Sequence, residues 1–297
     1  MQMKILRTPD ERFLNLPGYA FEPHYTDVGD MRMHYVDEGD ATADPVLLLH
    51  GEPSWSYLYR TMIPPIVEGG LRAIAPDLIG FGKSDKPSAQ DDYSYEKHVA
   101  WMKQFIEHLN LRNITLVCQD WGSLIGLRLA AENEDRFDRI VLANGGLPTG
   151  EGKIPTVFRI WRAFARFSPW FPIGRIVQSG TVSELSPDIV AAYDAPFPDS
   201  TFKAGSRAFP KLVPTSPDDP AAPANRRAWE VFRNWQKPFL TAFSNRDPIT
   251  RGFDKAFVKR VPGAKDQPHT TIRDAGHFLQ EEKGPELASI VIDFIKS

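Results

Sequence analysis

Cysteine is nearly absent from this sequence of 297 residues, which has a single thiol at Cys118. One thiol can neither form an internal disulfide nor build a cysteine-rich metal site. The chain also lacks a run of about 20 apolar residues, the length that spans a bilayer. Its first residues, MQMKILRTPDERF, lack the apolar stretch of a signal peptide. These absences predict a cytoplasmic protein with no membrane segment.

Charge of one sign is not in excess either. The formal net charge is -3 at pH 7, and the basic residues are scattered along the chain. A scattered pattern does not favour nucleic acid or an anionic lipid surface as a partner, so we expect a small-molecule substrate. The hydrophobic content of 42% is enough for a substantial core. One large domain with an insertion, present as a monomer, is expected.

Short apolar runs alternate with amphipathic segments of helical length along most of the chain. Helices are predicted over residues 95–109, 122–131 and 287–295, where apolar residues recur at helical spacing. Strands are predicted at residues 31–36, 46–49, 73–75, 114–118, 140–143, 239–243 and 270–272. This alternation predicts an α/β fold with a mostly parallel central sheet flanked by helices on both faces.

The alternation stops after Leu147 and resumes near Pro238. The segment between them is rich in proline and aromatic residues, and it shows helical patterns but no convincing strand. We interpret residues 148–230 as a helical cap inserted into a main domain made of residues 1–147 and 231–297.

The stretch CQDWG at residues 118–122 joins a predicted strand to a predicted helix through a sharp turn. On such a turn a nucleophile projects at the carboxyl end of the sheet, and small flanking residues make room for it. The residue at the crest is Asp120, where this pattern usually carries serine. The free N–H groups and the dipole of the following helix favour the ionised carboxylate, which needs no base to become a nucleophile. An ordinary Asp helix cap is the alternative interpretation of this stretch alone.

Two later residues follow in the order that such a site requires, which is nucleophile, acid and base. Asp247 lies in the loop SNRDPIT, and His277 lies in RDAGHF directly before a predicted helix. Each follows a predicted strand at its carboxyl end. This order and setting predict a catalytic triad of Asp120, Asp247 and His277.

A fourth element is HGEPSWSY, which begins at His50 after the predicted strand 46–49. Its His-Gly turn is expected to point the backbone N–H of Glu52 at the nucleophile. Together with the N–H of Trp121, this group would form an oxyanion hole.

These segments together resemble the haloalkane dehalogenases of the α/β-hydrolase superfamily. The resemblance covers nearly the whole chain and rests on HGEPSWSYLYR, APDLIGFGKSDKP, VCQDWGS, AYDAPFPD and DAGHFLQE. It implies the α/β-hydrolase fold and hydrolysis of a haloalkane to a primary alcohol and halide through an alkyl ester on Asp120. His277, oriented by Asp247, would then activate water. The implied partners are a small apolar halogenated substrate, water and the halide ion, with no metal and no cofactor.

The resemblance also implies a halide site made of two tryptophan N–H groups. Trp121 matches the first donor, and Trp161, in a Phe-x-x-Trp pattern, matches the second better than Trp170 does. The other large subgroup of the family binds the halide with an asparagine at the position of Glu52, so Glu52 argues against membership of that subgroup. The sequence departs from the family pattern at Ser123, where glycine is common. The expected walls of the apolar pocket are Phe158, Phe164, Phe209 and Val213, with plain core packing as the alternative for each.

Other uses of the same machinery fit the residues less well. An epoxide hydrolase shares the nucleophile and base but uses a pair of tyrosines from the cap. Tyr193 is the single tyrosine in residues 149–230, so the second tyrosine of such a pair is missing. A fluoroacetate dehalogenase binds a carboxylate through arginines near the nucleophile, whereas Arg128 lies two helical turns along. A serine-type esterase is disfavoured because attack by Asp120 on an ester would give an anhydride. A non-catalytic receptor on this fold would not need an intact triad.

Overall fold

The computed structural model of the chain describes residues 3–152 and 154–297. The strands are β1 (Ile5–Leu6), β2 (His24–Val28), β3 (Met31–Glu38), β4 (Pro45–Leu49), β5 (Arg72–Pro76), β6 (Lys86–Pro87), β7 (Ile114–Asp120), β8 (Phe137–Gly145), β9 (Phe239–Ser244) and β10 (Thr270–Ile272). The helices are α1 (Ile63–Glu68), α2 (Tyr95–His108), α3 (Trp121–Glu132), α4 (Thr156–Phe167), α5 (Ile173–Ser179), α6 (Pro187–Asp194), α7 (Ala204–Leu212), α8 (Ala222–Phe232), α9 (Asp254–Arg260) and α10 (Leu279–Lys296).

One large sheet has the strand order β10-β9-β8-β7-β4-β5-β3-β2. The neighbours from β10 to β5 are parallel, whereas β3 pairs antiparallel with both β5 and β2. The central strands are apolar at consecutive positions because both faces are covered: β4 is buried throughout, and β7 is buried up to Asp120. The predicted α/β class with a mostly parallel sheet is confirmed.

The predicted strands and helices are all present, and most extend a few residues beyond their predicted bounds. The sequence missed β2, since this edge strand is only partly buried and carries no clear apolar alternation. It also placed the start of α10 at residue 287, eight residues after its true start at Leu279. The reason is local: Pro285 lies inside the helix, and Lys283 breaks the helical backbone there.

The described part of the chain between β8 and β9 forms helices α4 to α8 and contains no strand. The division at residues 148 and 230 stays a prediction. Helix α8 runs across residue 230 and packs beside the sheet: Arg128 of α3 donates to Asn225 at 3.2 Å, and Trp229 stacks on Phe257 of α9 with ring centroids 4.6 Å apart. These contacts favour a boundary before α8.

The parallel strands bring four loops to one edge of the sheet. Glu52 follows β4, Asp120 ends β7, Asp247 follows β9 and His277 follows β10. The carboxyl ends of adjacent parallel strands meet at the same edge, so residues distant in sequence come together there. Within residues 3–152 and 154–297, every helix is too short or too polar to cross a membrane.

Candidate active site

Asp120 occupies a strained turn between β7 and α3. Its backbone has φ 48° and ψ -125°, which a non-glycine residue rarely adopts. The neighbouring chain leaves no room for larger residues: a Cβ at Gly51 would lie 2.4 Å from Asp120, and one at Gly122 would lie 2.0 Å from the backbone oxygen of Leu49. The small residues around the turn are therefore required by the close approach of the β4 loop.

The Asp120 carboxylate faces outward from this turn. Its Oδ1 accepts a hydrogen bond of 2.8 Å from the backbone N–H of Glu52, and its side chain is 21% exposed. It makes no capping bond to the first turn of α3. The geometry is that of a presented carboxylate rather than a helix cap. Of the two predicted oxyanion donors, Glu52 N–H already contacts the carboxylate.

His277 lies between two carboxylates. Its Nε2 is 3.4 Å from Asp120 Oδ2, and its Nδ1 is 3.1 Å from Asp247 Oδ2. Burial lowers the pKa of His277, but the charges of Asp247 and Asp120 and their hydrogen bonds outweigh burial and raise that pKa to about 10. The free site therefore favours an imidazolium between two anions.

Asp247 is almost fully buried and is held by its own loop. It accepts hydrogen bonds from the backbone N–H of Ile249 at 2.8 Å and from the N–H and hydroxyl of Thr250. Burial alone would raise the pKa of Asp247, but the charge of His277 and these hydrogen bonds bring that pKa below its usual value. Asp247 is thus a fixed anion that orients the Nδ1 side of His277.

Sequence reasoning missed Asn144, which ties the histidine loop to the sheet. From the carboxyl end of β8, its amide donates to Ser244 Oγ at 2.9 Å and to the backbone oxygens of Gly276 and His277 at 2.9 and 3.0 Å. The backbone N–H of His277 donates to Gly180 O at 2.7 Å. The sequence does show that Asn144 is a polar residue at the end of a buried strand. Parallel sheets position site residues there, so Asn144 could have been predicted to lie near the site.

A cavity of about 850 Å³ opens above Asp120. Asp120, Trp121 and His277 line it from the sheet side, and Trp161 of α4 lines it from the inserted helices. Glu52, Phe158 and Val213 also lie in the wall, as do Leu124, Leu147, Pro210 and Phe253. The lining is mostly apolar with a few convergent polar groups, which is typical of a small-molecule site.

Two predicted wall residues are not in that lining. Phe209 is completely buried behind Trp121, with ring centroids 4.5 Å apart, and therefore supports the tryptophan from outside the cavity. Phe164 stacks on Phe171 at 5.8 Å and lies beside Trp161 at 5.7 Å. At these two positions a wall role stays a prediction, and the observed contacts favour packing instead, because helical spacing does not show which neighbour covers an aromatic ring. Trp170 is 62% exposed and lies outside the lining as well.

The carboxyl group of Glu52 is buried beside the nucleophile, with 5% of the residue exposed. Burial raises the pKa of Glu52 well above its ordinary value, the charge of Asp120 adds to this, and the charge of His277 opposes it. Burial and the charge of Asp120 therefore both favour the protonated, neutral form of the Glu52 carboxyl group. Trp161 and Glu52 line the same cavity as Asp120.

Glu52→Gln is expected to stabilise the protein at neutral pH. A folded-state pKa above the unfolded value means that the folded chain keeps a proton that the unfolded chain loses above pH ~4.5, so wild-type stability falls as pH rises from there. Glutamine carries no such cost, so the stability gained by the variant should be largest at neutral pH and should shrink to nothing near pH ~4.5. Urea unfolding of both proteins across this range measures it. Exposed Glu151→Gln controls for loss of one charge, and a gain independent of pH would contradict the account.

The structure also bears on the alternative activities. Tyr193 is completely buried and donates its hydroxyl to Glu281, and the cavity lining among the described residues contains no tyrosine. Arg128 is buried against Glu132 and Asn225, away from the cavity. An epoxide activated by paired tyrosines and a substrate carboxylate held by Arg128 are therefore both disfavoured. Within residues 3–152 and 154–297, no cluster of three or more His, Cys, Asp or Glu side chains is arranged to hold a metal ion.

Comparison with known proteins agrees with this geometry. A profile of the alpha/beta hydrolase fold matches residues 44–175. The chain is 57% identical to a haloalkane dehalogenase of Mycobacterium marinum, over 98% of this chain and 100% of that protein. It is 55% identical to a haloalkane dehalogenase of Psychrobacter cryohalolentis, over 99% and 98%. The chain belongs to the haloalkane dehalogenase family.

A solved structure extends this relation to three dimensions. The tetrameric haloalkane dehalogenase of Paraglaciecola agarilytica superposes with a TM-score of 0.90 at 39% identity, covering 97% of each chain. The predicted α/β-hydrolase fold is thereby confirmed, and so is the predicted family.

Proposed function

We propose that the chain hydrolyses haloalkanes in two steps, in which Asp120 first displaces the halide and water then hydrolyses the alkyl ester. One observation carries this proposal: a carboxylate on a strained turn, held at one oxygen by Glu52 N–H, faces an apolar cavity beside two tryptophans and a histidine. A carboxylate that is presented and preorganised in this way needs no further activation to attack carbon.

In the first step, Oδ2 of Asp120 attacks the carbon that bears the halogen. The carbon–halogen bond breaks as the carbon–oxygen bond forms, and the halide leaves with the bonding electrons. The indole N–H groups of Trp121 and Trp161 stabilise its developing charge without giving up a proton. A mostly apolar lining keeps water from competing for these donors and strengthens the contact.

In the second step, His277 accepts a proton from water, and the resulting hydroxide attacks the ester carbonyl of Asp120. The negative charge then develops on Oδ1, which already receives the N–H of Glu52. The N–H of Trp121 is the proposed second donor, and each such donor typically contributes about 3 kcal/mol. The proton on His277 passes to the departing alkoxide, which leaves as a primary alcohol. The route uses only these residues and water, so it calls for no cofactor.

The proposed activity predicts that the purified chain releases bromide from short 1-bromoalkanes and 1,2-dibromoalkanes. Ion chromatography across a series of chain lengths measures the bromide, and gas chromatography measures the alcohol in equal amount. Asp120→Ala is the control for release by the buffer or by other surface groups. Wild-type release no greater than that of this variant would contradict the proposal.

The predicted monomer and the predicted cytoplasmic location also stand as proposals. The relative from Paraglaciecola agarilytica is tetrameric, so the state of this chain has to be measured directly. Light scattering coupled to size exclusion at several protein concentrations separates a monomer from a tetramer.

A further inference from the structure

Gln119 contacts the histidine of the site from a position that the proposed mechanism does not use. It precedes Asp120 on β7, and its side chain is completely buried. Its amide nitrogen lies 3.1 Å from His277 Nε2 and 3.1 Å from the backbone oxygen of His277. Because the Gln119 amide contacts Nε2 of His277, it can influence whether that nitrogen is protonated.

The orientation of the Gln119 amide is fixed by its neighbour. The backbone oxygen of His277 can only accept, so the amide must turn its NH2 group toward the histidine. Its two hydrogens then serve two acceptors, the backbone oxygen and Nε2. Turning the amide over would place Oε1 against the backbone carbonyl oxygen of His277 and lose that bond. In the described structure Oε1 has no hydrogen-bond partner, so the site retains this orientation despite an unpaired buried oxygen.

Both ring nitrogens of His277 therefore face partners of fixed role. Asp247 Oδ2 only accepts, so Nδ1 carries a hydrogen. At Nε2 the Gln119 amide nitrogen only donates, whereas Asp120 Oδ2, 3.4 Å away, only accepts. In the free site Asp120 favours a hydrogen on Nε2. Once Asp120 is an uncharged ester, the contacts of Gln119 and Asp247 favour the neutral imidazole with its hydrogen on Nδ1, which is the form a general base at Nε2 requires.

The charged surroundings pull in the opposite direction. Asp120 at the end of β7 and Asp247 after β9 both favour a protonated His277, and Glu52 after β4 is a third carboxyl group in the same space. Conversion of Asp120 to an ester removes one of these charges, but Asp247 remains. A base works best when its pKa lies near the working pH. The donor at Nε2 is the contact that opposes the carboxylates.

We propose that Gln119 is a positioning residue that, in the alkyl-enzyme, favours the neutral form of His277 with the hydrogen on Nδ1, and thereby sets the pH range in which the ester on Asp120 is hydrolysed. This inference rests on the proposed roles of Asp120 and His277. Entering water replaces the Gln119 N–H at the lone pair, and the bond to the backbone oxygen of His277 keeps the amide in place.

Gln119→Met tests the proposal because methionine has a similar shape but no N–H donor, and it also removes the unpaired oxygen. Gln119→Glu is a second variant of the same shape that places an acceptor at Nε2. In single turnovers, the pH midpoint for hydrolysis of the alkyl-enzyme is expected to rise by about one pH unit in Gln119→Met, roughly a tenfold loss of rate at a pH below the midpoint. It should rise further in Gln119→Glu. The rate of halide release in the first step should not change.

A second measurement needs no turnover. In an Asp120→Asn background, which mimics the uncharged ester, nitrogen NMR of the His277 ring reports its protonation midpoint with and without Gln119→Met. We expect the same upward shift there. Cys118→Ala is the matched control, since it alters a buried residue of the same strand whose thiol donates to the backbone oxygen of Val141.

The outcomes separate the two proposals. Equal midpoints in the presence and absence of Gln119, in hydrolysis or in NMR, overturn the role of Gln119. A shift of the same size in Cys118→Ala also overturns it, because a general disturbance of β7 would then be the cause. If the wild-type protein forms no alkyl-enzyme, the covalent route is overturned instead. The NMR midpoints of His277 still test whether Gln119 affects its protonation.

Discussion

His277→Phe is expected to release a single equivalent of halide per protein molecule and then stop. Displacement by Asp120 needs no base, so the first step should proceed at close to the wild-type rate. Hydrolysis needs a proton acceptor near the ester, and the Nε2 that lies 3.4 Å from Asp120 Oδ2 supplies it. Phenylalanine keeps the ring but offers no lone pair. Steady turnover should fall by at least about 1,000-fold.

Rapid-quench measurement of halide release separates the burst from turnover. The burst amplitude should equal the concentration of active protein, and a second addition of substrate should release nothing more. His24→Phe, at an exposed histidine of β2, is the control and should turn over like wild type. Continued turnover of His277→Phe would contradict the role of His277 as the base of the second step. Absence of a burst would contradict a first step that does not need His277.

Trp161→Phe is expected to lower kcat/KM for bromoalkanes by about 100-fold and to weaken halide binding. The change removes one of two N–H donors at the departing halide, and loss of one preorganised donor typically costs about 3 kcal/mol. The ring remains, so the cavity keeps most of its shape. The change should leave the proposed contribution of Glu52 intact, because that contribution is the backbone N–H that donates to Asp120.

Trp170→Phe is the matched control for this experiment. It changes the same residue type in the same inserted segment, but its side chain is 62% exposed and does not line the cavity. Quenching of tryptophan fluorescence by bromide measures halide binding in both variants. We expect weaker binding in Trp161→Phe and wild-type binding in Trp170→Phe. The reverse order would reassign the second halide donor.

The sequence was sufficient to predict the central strands and the turn that carries Asp120, because both depend on the local pattern of residues. Consecutive apolar residues in β4 and β7 reflect strands covered on both faces, and the turn at Asp120 shows in the small residues that surround it. The order of Asp120, Asp247 and His277 along the chain was enough to predict that they meet. Parallel strands bring their carboxyl ends to one edge, so no further information was needed.

The sequence was not sufficient for contacts decided by packing between distant elements. Phe209 and Phe164 carry the aromatic character of a cavity wall, yet one supports Trp121 from behind and the other stacks within the inserted helices. Gln119 and Asn144 are polar residues on buried strands, and nothing in their local pattern shows that both bind the backbone of His277. Side-chain hydrogen bonds across many residues of separation appear only in three dimensions.

The central claim is that Asp120 becomes covalently bound to the substrate, and peptide mapping of His277→Phe after exposure to a bromoalkane tests it most directly. Without the base, the ester should persist long enough for digestion and mass spectrometry. The account predicts that the peptide containing Asp120 gains the mass of the alkyl group and that fragmentation places this group on the aspartate. An unmodified Asp120 peptide in a sample that has released its halide, or an alkyl group on another residue, would contradict it.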